Sequence, residues 1–368
     1  MGLVSCSPTK FVVSNVAVPA EENYNRKAPD IDGKGQVHLL ICALDYNHAQ
    51  DHVARLTCVV DGKNFAALAA ACGIQDVVQM YDSQCTKEAV LSAIEKVGGR
   101  CGPDDYFMFY YSGHGIQVED EDGDESDDYD EAMAFVDTTG IVNEATLLVD
   151  DDFAVAITEA VDPSARIIVL SDCCHSATIC DFNRDVWDNR EAISISGSLD
   201  EQTSADTGKG GVFTNALLLA IDMLEEDELE EYSVGMLFNA TIEYDFKVFN
   251  SVQNITLQTP GDFSPDEMAW PLVPRGQYLA PLSRACHAEH GHTRVGDEIH
   301  WVDLAMQSPE YLRQFGISAH VRDGLQASRL HLLLKGEGKL TPSELATKGK
   351  RFYNFWRNSR RAAGKCAP

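Results

Sequence analysis

YFMFYY, at Tyr106–Tyr111, is the stretch that decides the fold, together with VHLLICAL at Val37–Leu44 and RIIVLS at Arg166–Ser171. A strand buried on one face alternates apolar with polar residues, whereas a strand covered on both faces is apolar almost throughout. The three runs therefore predict the central strands of a sheet that has helices packed against both of its faces.

Segments with other patterns lie between and after these runs. The spacing of apolar residues predicts helices over Cys58–Ala71, Lys87–Val97, Phe153–Val161, Val212–Leu224 and Ser233–Val248, and further strands over Asp76–Tyr81 and Ala192–Ser198. Alternation of strands with helices is typical of an α/β fold with a mostly parallel sheet. Residues 1–36 have no periodicity and are predicted to be an extended N-terminal arm.

Composition and charge exclude several classes of protein. The 368 residues carry a formal net charge of −29, which would repel a phosphate polymer, so we expect no nucleic-acid partner. There is no apolar run of the ~18 residues that a membrane span needs, and no secretory signal. Eleven cysteines, two of them adjacent, suit a reducing compartment better than a disulfide scaffold, and we expect a cytoplasmic protein.

Two short loops follow central strands and carry reactive side chains. His114 lies between two glycines after YFMFYY, and Cys174 is the second cysteine of the pair after RIIVLS. Ligands of such sheets bind beyond the carboxyl ends of the strands, so we expect these loops to be neighbours. A thiolate with an imidazole that activates it is the machinery of a cysteine protease. The opposing interpretation is a loop histidine with two core cysteines.

YYSGHG at Tyr110–Gly115 and SDCCHSA at Ser171–Ala177 together resemble the metacaspases, which are caspase-like cysteine proteases. The resemblance runs from about Val37 to Pro274. It implies a caspase-like fold, a catalytic dyad of His114 and Cys174, and an oxyanion hole formed by the N–H groups of Gly115 and Cys174. Ala177 stands where the family usually has glycine.

Acidic residues beside the dyad indicate which substrate side chain the enzyme prefers next to the cleaved bond. Two carboxylates in a partly desolvated pocket favour an Arg or Lys side chain, and Arg bonds them bidentately. The resemblance implies that the pocket for this side chain is lined by Cys58, Asp61, Ser112 and Asp172. For Asp61 taken alone, the alternative interpretation is a helix N-terminal cap.

Ten carboxylates stand within the thirteen residues Glu119–Glu131. This run does not have the spacing of an EF-hand loop, and a solvated surface loop is the ordinary interpretation. The resemblance implies a Ca²⁺ site made by Asp130, Asp150, Asp151 and Asp181, which the sequence assigns to three separate loops. Such an ion would tie together the loops around the cleft.

The predicted organisation has five parts. Residues 1–36 are the arm, 37–181 a large-subunit-like catalytic region, 182–211 a linker, 212–274 a small-subunit-like region, and 275–368 a basic extension of unknown role. The extension has 15 basic and 8 acidic residues, and docking on the protein's own acidic surface is its favoured interpretation. Because caspase-like enzymes are often cut between subunits, Arg184, Arg190 and Lys209 are candidate sites of self-cleavage.

The sequence thus predicts a monomeric, calcium-activated cysteine endopeptidase that cleaves protein substrates after Arg or Lys. One alternative is a paracaspase-like protease, which shares the dyad and the preference for a basic residue. The other is an inactive relative that serves as a calcium-dependent scaffold.

Overall fold

A computed structural model describes residues 12–13, 35–49, 53–119, 129–198, 210–226, 231–249, 254–275 and 278–284. These residues form ten strands: β1 (Val12–Val13), β2 (Val37–Ala43), β3 (Asp76–Tyr81), β4 (Tyr106–Ser112), β5 (Gly115–Glu119), β6 (Tyr129–Ala134), β7 (Leu147–Val149), β8 (Arg166–Asp172), β9 (Ala192–Ser196) and β10 (Thr256–Gln258). They also form five α-helices: α1 (Cys58–Ala71), α2 (Lys87–Gly98), α3 (Asp150–Ala160), α4 (Val212–Glu226) and α5 (Val234–Tyr244).

Seven strands make the central sheet, in the order β1-β10-β9-β8-β4-β2-β3. The five strands from β9 to β3 are parallel, and β10 and β1 add an antiparallel edge. The prediction of a mostly parallel sheet flanked by helices is confirmed. The basic extension contributes only residues 275 and 278–284 to the described structure.

The surroundings of strand β4 explain why apolar and polar residues do not alternate in its sequence. Tyr106, Met108 and Tyr110 belong to a core cluster on one face of the sheet, and Phe107, Phe109 and Tyr111 belong to a cluster on the other face. Helices α1, α4 and α5 contribute to the first cluster, and α2 and α3 contribute to the second. Both faces of the strand are therefore removed from water, which favours an apolar residue at every position.

A second, smaller sheet was not predicted. Strands β5, β6 and β7 pair antiparallel, in that order. β5 and β6 flank the acidic run, and their polar and acidic residues are unfavourable in strands by propensity. Their pairing is decided by position, because only two residues separate the end of β4 from the start of β5.

Two boundaries differ from prediction in ways that matter for the site. Helix α3 begins at Asp150 rather than Phe153, so Asp150, Asp151 and Asp152 occupy its first turn, where carboxylates interact favourably with the helix dipole. Strand β9 ends at Ser196 rather than Ser198.

The pairing of β1 with β10 concerns the predicted division of the chain into five parts. Val12 and Val13 of the predicted arm pair with Leu257 and Thr256 of the small-subunit-like region, so these two residues are an edge strand of the main sheet. The division at residues 36, 181, 211 and 274 otherwise stays a prediction. Among the described residues, no helix has the length and apolar character required to cross a bilayer.

Candidate active site

The loops with His114 and Cys174 leave neighbouring strands at the same edge of the sheet. Ser112, the last residue of β4, is paired with Asp172, the last residue of β8, and Gly113 N–H donates to the Asp172 carbonyl at 3.3 Å. Paired strands lie about 4.8 Å apart. His114 and Cys174 each stand two residues beyond this pair, so the expectation that the loops are neighbours is met by the backbone.

Two buried tyrosines hold the main chain of His114 from both sides. The His114 N–H donates to the Tyr46 hydroxyl at 2.8 Å, and the Tyr111 hydroxyl donates to the His114 carbonyl at 2.8 Å. The Tyr46 hydroxyl in turn donates to the Ala134 carbonyl at 2.7 Å. Burial raises the pKa of both Tyr46 and Tyr111, so both phenols keep the protons that these bonds use.

The imidazole of His114 has one nitrogen committed to the backbone. Its Nε2 lies 2.7 Å from the carbonyl oxygen of Ala54, and since a carbonyl only accepts, Nε2 carries the proton. In the neutral ring, Nδ1 is then the nitrogen that can take a proton. The ring also packs against Tyr46, with centroids 4.5 Å apart.

The two adjacent cysteines have different environments. Cys173 is 1% exposed within the core cluster that includes Tyr111 and Phe135, whereas Cys174 is half-buried. Burial without a nearby positive charge makes a thiol inert, so Cys174 is the one suited to act as a nucleophile. The next residue, His175, has a φ of 47°, a left-handed conformation that is costly outside glycine.

Gly115 touches the Cys174 loop directly. A Cβ at position 115 would overlap the carbonyl oxygen of Cys174 and would lie 3.2 Å from the Sγ of Cys173. Any side chain larger than hydrogen is therefore excluded where the two loops meet.

Asp61, Ser112 and Asp172 come together below the dyad, and Cys58 lies on the same first turn of α1 as Asp61. The Ser112 hydroxyl donates to Asp61 Oδ2 at 3.2 Å. The carboxylates of Asp61 and Asp172 are both buried. Burial, assisted by the charges of these two carboxylates, raises the pKa of Tyr110 well above its usual value.

The start of α4 completes this group and was missed in the sequence. Gly211 N–H donates to Asp61 Oδ2 at 2.8 Å, and Thr214 donates to Asp172 Oδ2 from its backbone at 3.0 Å and from its hydroxyl at 2.6 Å. A Cβ at Gly210 would overlap the Asp61 carboxylate, and one at Gly211 would overlap that of Asp172. The Gly-Gly pair thus lets one backbone segment approach both carboxylates.

The four predicted metal residues, together with Glu131, form what we call the acidic cluster, which comprises Asp130, Glu131, Asp150, Asp151 and Asp181. Burial raises the pKa of Asp150 to about 9, assisted by the negative charges of Glu131, Asp130 and Asp181. The Glu131 N–H donates to Asp150 at 3.1 Å and opposes this rise. Three carboxylates therefore lie near Asp150 and disfavour its charged form.

One expectation about this cluster is wrong. Its residues do not all come from loops, since Asp130 is in β6 and Asp150 and Asp151 begin α3. Within the described residues, no group of three or more His, Cys, Asp or Glu side chains stands in a metal-ligating arrangement, and the Ca²⁺ site stays a prediction. Glu131, which accepts from Gln117 and Thr178, was missed.

Arg184 supplies positive charge to two carboxylates of the acidic cluster. Its guanidinium pairs with Asp151, and its Nε lies 3.6 Å from Asp181 Oδ2. A candidate cleavage residue thus contacts two candidate metal ligands. Arg190 donates to the carbonyls of Thr158, Val161 and Asp162, and Lys209 lies outside the described residues.

Residues that position the dyad and pocket were not found from sequence because they are remote along the chain. Tyr46 and Ala54 precede His114 by 68 and 60 residues, and Gly211 follows Asp61 by 150 residues. None of them stands in a local pattern that distinguishes it from other loop or core residues.

Comparison with known proteins shows what residues 28–183 are similar to. The family model described as metacaspase, peptidase C14 domain matches residues 28–183. Metacaspase-1 of Botryotinia fuckeliana is 35% identical over 34% of this chain and 31% of its own length, and Metacaspase-1 of Arabidopsis thaliana is 34% identical over 42% and 48%. Metacaspase-1 of Yarrowia lipolytica is 25% identical over 59% of this chain and 60% of its own.

The alignments therefore span between about a third and three fifths of these relatives. The matched region includes His114, Cys174 and the acidic cluster. Residues 28–183 are thus similar to the metacaspase peptidase C14 domain, and the resemblance to the metacaspases that the sequence motifs indicate is confirmed for this region.

Proposed function

We propose that this protein is a calcium-activated cysteine endopeptidase that cleaves protein substrates after Arg or Lys. The observation that supports it most is the arrangement at the ends of β4 and β8. There a half-buried Cys174 stands beside a histidine whose Nε2 is committed to the Ala54 carbonyl. This commitment leaves Nδ1 for the proton transfers of the reaction.

In the proposed reaction, Nδ1 of His114 takes the thiol proton and the Cys174 thiolate adds to the scissile carbonyl carbon. The carbonyl oxygen becomes an oxyanion, which the N–H groups of Gly115 and Cys174 stabilise. The C–N bond then breaks as the histidine protonates the leaving amine. Water hydrolyses the resulting thioester with the same histidine as base, and the thiol is restored.

The preference for a basic residue rests on Asp61 and Asp172. Both carboxylates are buried beside the dyad, and neutral donors from Ser112, Gly211 and Thr214 bond to them. Hydrogen bonds of this kind leave negative charge in a site of low dielectric, so an arriving guanidinium or ammonium is favoured and a carboxylate is repelled.

A pair of substitutions tests this pocket. Asp172→Asn should lower kcat/KM for an Arg peptide by about 10-fold or more, because losing one charge-assisted bond costs roughly 1.5–3 kcal/mol. Asp76→Asn, a carboxylate at the other end of the sheet that pairs with Arg100, is the matched control. Efficient cleavage of an Asp peptide by the wild type would contradict the pocket.

Calcium activation rests on the acidic cluster. Carboxylate oxygens are the ligands that Ca²⁺ prefers, and it takes about 6–8 of them. The chemistry of the donor set fits, since the cluster holds several buried carboxylates, and burial together with the charges of Glu131, Asp130 and Asp181 raises the pKa of Asp150. A bound Ca²⁺ would supply positive charge close to Asp150, in addition to the charge that Arg184 brings to Asp151 and Asp181.

In this proposal Asp130, Asp150, Asp151 and Asp181 hold the ion, and Arg184 must leave Asp151 and Asp181 for all four to reach it. Asp181 follows Cys174 by seven residues, and β6 pairs with β5 next to Gly115. Movement in the cluster is therefore transmitted over a short length of chain to both dyad loops.

Self-cleavage would occur after one of three basic residues, Arg184, Arg190 or Lys209. Arg184 and Arg190 are both held by the folded protein, through carboxylates and through backbone carbonyls. Lys209 precedes Gly210, whose N–H donates to Thr57 beside the pocket. Sequencing of fragments formed with calcium decides among the three, and a Cys174→Ala variant should remain intact.

The deciding experiment is hydrolysis of a fluorogenic Arg peptide with calcium and with chelator. We expect turnover with calcium, reversible loss in chelator before self-cleavage, and poor replacement by Mg²⁺, which keeps its waters and demands octahedral geometry. Equal turnover in chelator would favour a paracaspase-like protease. Calcium binding without turnover would favour the scaffold. The eight described cysteines are all free thiols, which supports a reducing, cytoplasmic location.

A further inference from the structure

Two buried serine hydroxyls converge on one carbonyl oxygen beside the nucleophile. Ser176 Oγ lies 2.9 Å and Ser198 Oγ 3.0 Å from the carbonyl oxygen of Cys173, and each hydroxyl donates to it. Ser176, Ser198 and Cys173 are 0–1% exposed. A carbonyl has two lone pairs, so these two bonds satisfy it.

The peptide that contains this carbonyl also contains the N–H of Cys174. A trans peptide is planar, and its C=O and N–H point in opposite directions. No cis peptide occurs in the described residues. Fixing the Cys173 oxygen toward the two interior hydroxyls therefore fixes the Cys174 N–H toward the opposite side.

The two serines reach the oxygen from different parts of the chain. Ser176 belongs to the nucleophile loop itself, whereas Ser198 follows β9, which pairs with β8. Gly197 N–H also donates to the Ser171 carbonyl at 2.8 Å, so the segment with Ser198 is anchored on the strand that leads to Cys174. A rotation of the peptide would break bonds to two separately anchored groups.

We propose that Ser176 and Ser198 are positioning residues that orient the Cys174 N–H for the oxyanion. This inference rests on the proposed function, in which Cys174 adds to the scissile carbonyl and the C=O electron pair moves to oxygen. A donor must already point at that oxygen when its charge develops. The left-handed φ of 47° at His175 indicates that the loop would not hold this geometry by local preference alone.

The test separates orientation of the N–H group from reactivity of the thiol. With an Arg peptide, Ser198→Ala and Ser176→Ala should each lower kcat by about 10-fold or more, since one oxyanion donor is worth about 10²–10³ in kcat, and leave KM within about 2-fold. A peptidyl-arginine aldehyde, which forms a tetrahedral adduct with the thiol, should bind correspondingly more weakly. Alkylation of Cys174 by iodoacetamide forms no oxyanion and should keep its rate.

The matched control is Ser196→Ala, which replaces a buried serine at the end of β9, two residues before Ser198. This variant should keep the wild-type kcat. Ser198→Thr restores a hydroxyl and should recover most of kcat, which a merely structural loss of packing would not predict. The two hydroxyls reach one oxygen from different segments. If one alanine variant fails to fold, the other variant therefore still tests the inference.

Unchanged kcat and aldehyde affinity in the alanine variants of an active protein would overturn this inference alone. An alkylation rate that falls in parallel with kcat would overturn it too, because the thiol rather than the N–H would be affected. A wild-type protein with neither turnover nor reactive Cys174 would overturn the proposed function and this inference with it.

Discussion

The dyad loops and the acidic cluster lie close together along the chain, yet they are organised in opposite ways. Around His114 and Cys174, described polar groups meet partners of complementary kind, from the tyrosine hydroxyls on His114 to the N–H groups on Asp61 and Asp172. In the cluster, burial and the charges of Glu131, Asp130 and Asp181 raise the pKa of Asp150 to about 9, although Arg184 already pairs with Asp151. The polar groups around the dyad are thus already matched, whereas the carboxylates around Asp150 would gain stability from added positive charge.

This difference indicates where control of the proposed activity lies. A catalytic group needs a fixed position before the substrate binds, because orientation is what it contributes. A switch needs a region whose energy changes greatly with a ligand. If the two regions divide these roles, substitutions in the dyad loops should change turnover itself, and substitutions in the acidic cluster should change its dependence on calcium.

The largest effect is expected at the nucleophile. Cys174→Ala should reduce peptidase activity to background, because no other described thiol at the strand ends is accessible. Cys173→Ala should keep a substantial fraction, although it opens a small cavity in the core. Turnover of an Arg peptide is the measurement. An inactive Cys173 variant beside an active Cys174 variant would reverse the assignment.

The next effect belongs to the cluster. Replacing both Asp150 and Asp151 with Asn should remove calcium stimulation, while the melting temperature of the calcium-free protein stays nearly unchanged because Asn keeps an oxygen for the backbone N–H donors. Asp152→Asn, a neighbour on the same turn that pairs with Lys87, is the control. Calorimetric titration with calcium and a parallel activity titration measure the effect. Unaltered calcium dependence would mean that the cluster is only an acidic surface.

A smaller effect is expected where the loops touch. Gly115→Ala forces a Cβ into the Cys174 carbonyl and should lower kcat by about 100-fold, as expected when an oxyanion donor is displaced. Gly102→Ala, which meets only the Asp105 side chain at 3.4 Å, should be nearly neutral. Wild-type kcat in the Gly115 variant would show that the loops shift without consequence.

The smallest effect concerns the tyrosine support of His114. Tyr46→Phe leaves the His114 N–H without its hydroxyl partner and leaves the Ala134 carbonyl only the longer bond from Tyr111 at 3.4 Å, a loss of about 1–3 kcal/mol in the free energy of unfolding. We expect kcat to fall only several-fold, since Tyr111 still holds the His114 carbonyl. Tyr81→Phe removes an exposed hydroxyl bond to Gln79 and is the control. Chemical denaturation and peptide turnover measure both.

Much of the fold and the outline of the site could be predicted. Helix α1 and strand β3 have the predicted bounds, and the ends of β4 and β8 carry His114 and Cys174 as expected. The small sheet could not be predicted, because Gly115–Glu119 is short and gains its partner only from β6. Arg184 was predicted as a cleavage residue from its type alone, whereas its position between Asp151 and Asp181 depends on the folded turn.

The sequence by itself determined the parallel sheet and which loops leave its carboxyl edge. Burial on two faces requires an apolar residue at every position of a central strand, and that requirement is written locally in YFMFYY and RIIVLS. Tertiary structure alone decided which groups hold the reactive residues. Tyr46 and Ala54 on His114, Thr214 on Asp172 and Ser198 on Cys173 are single contacts between distant segments. Such a contact leaves no periodic pattern, because it depends on where two separately anchored backbones meet in space.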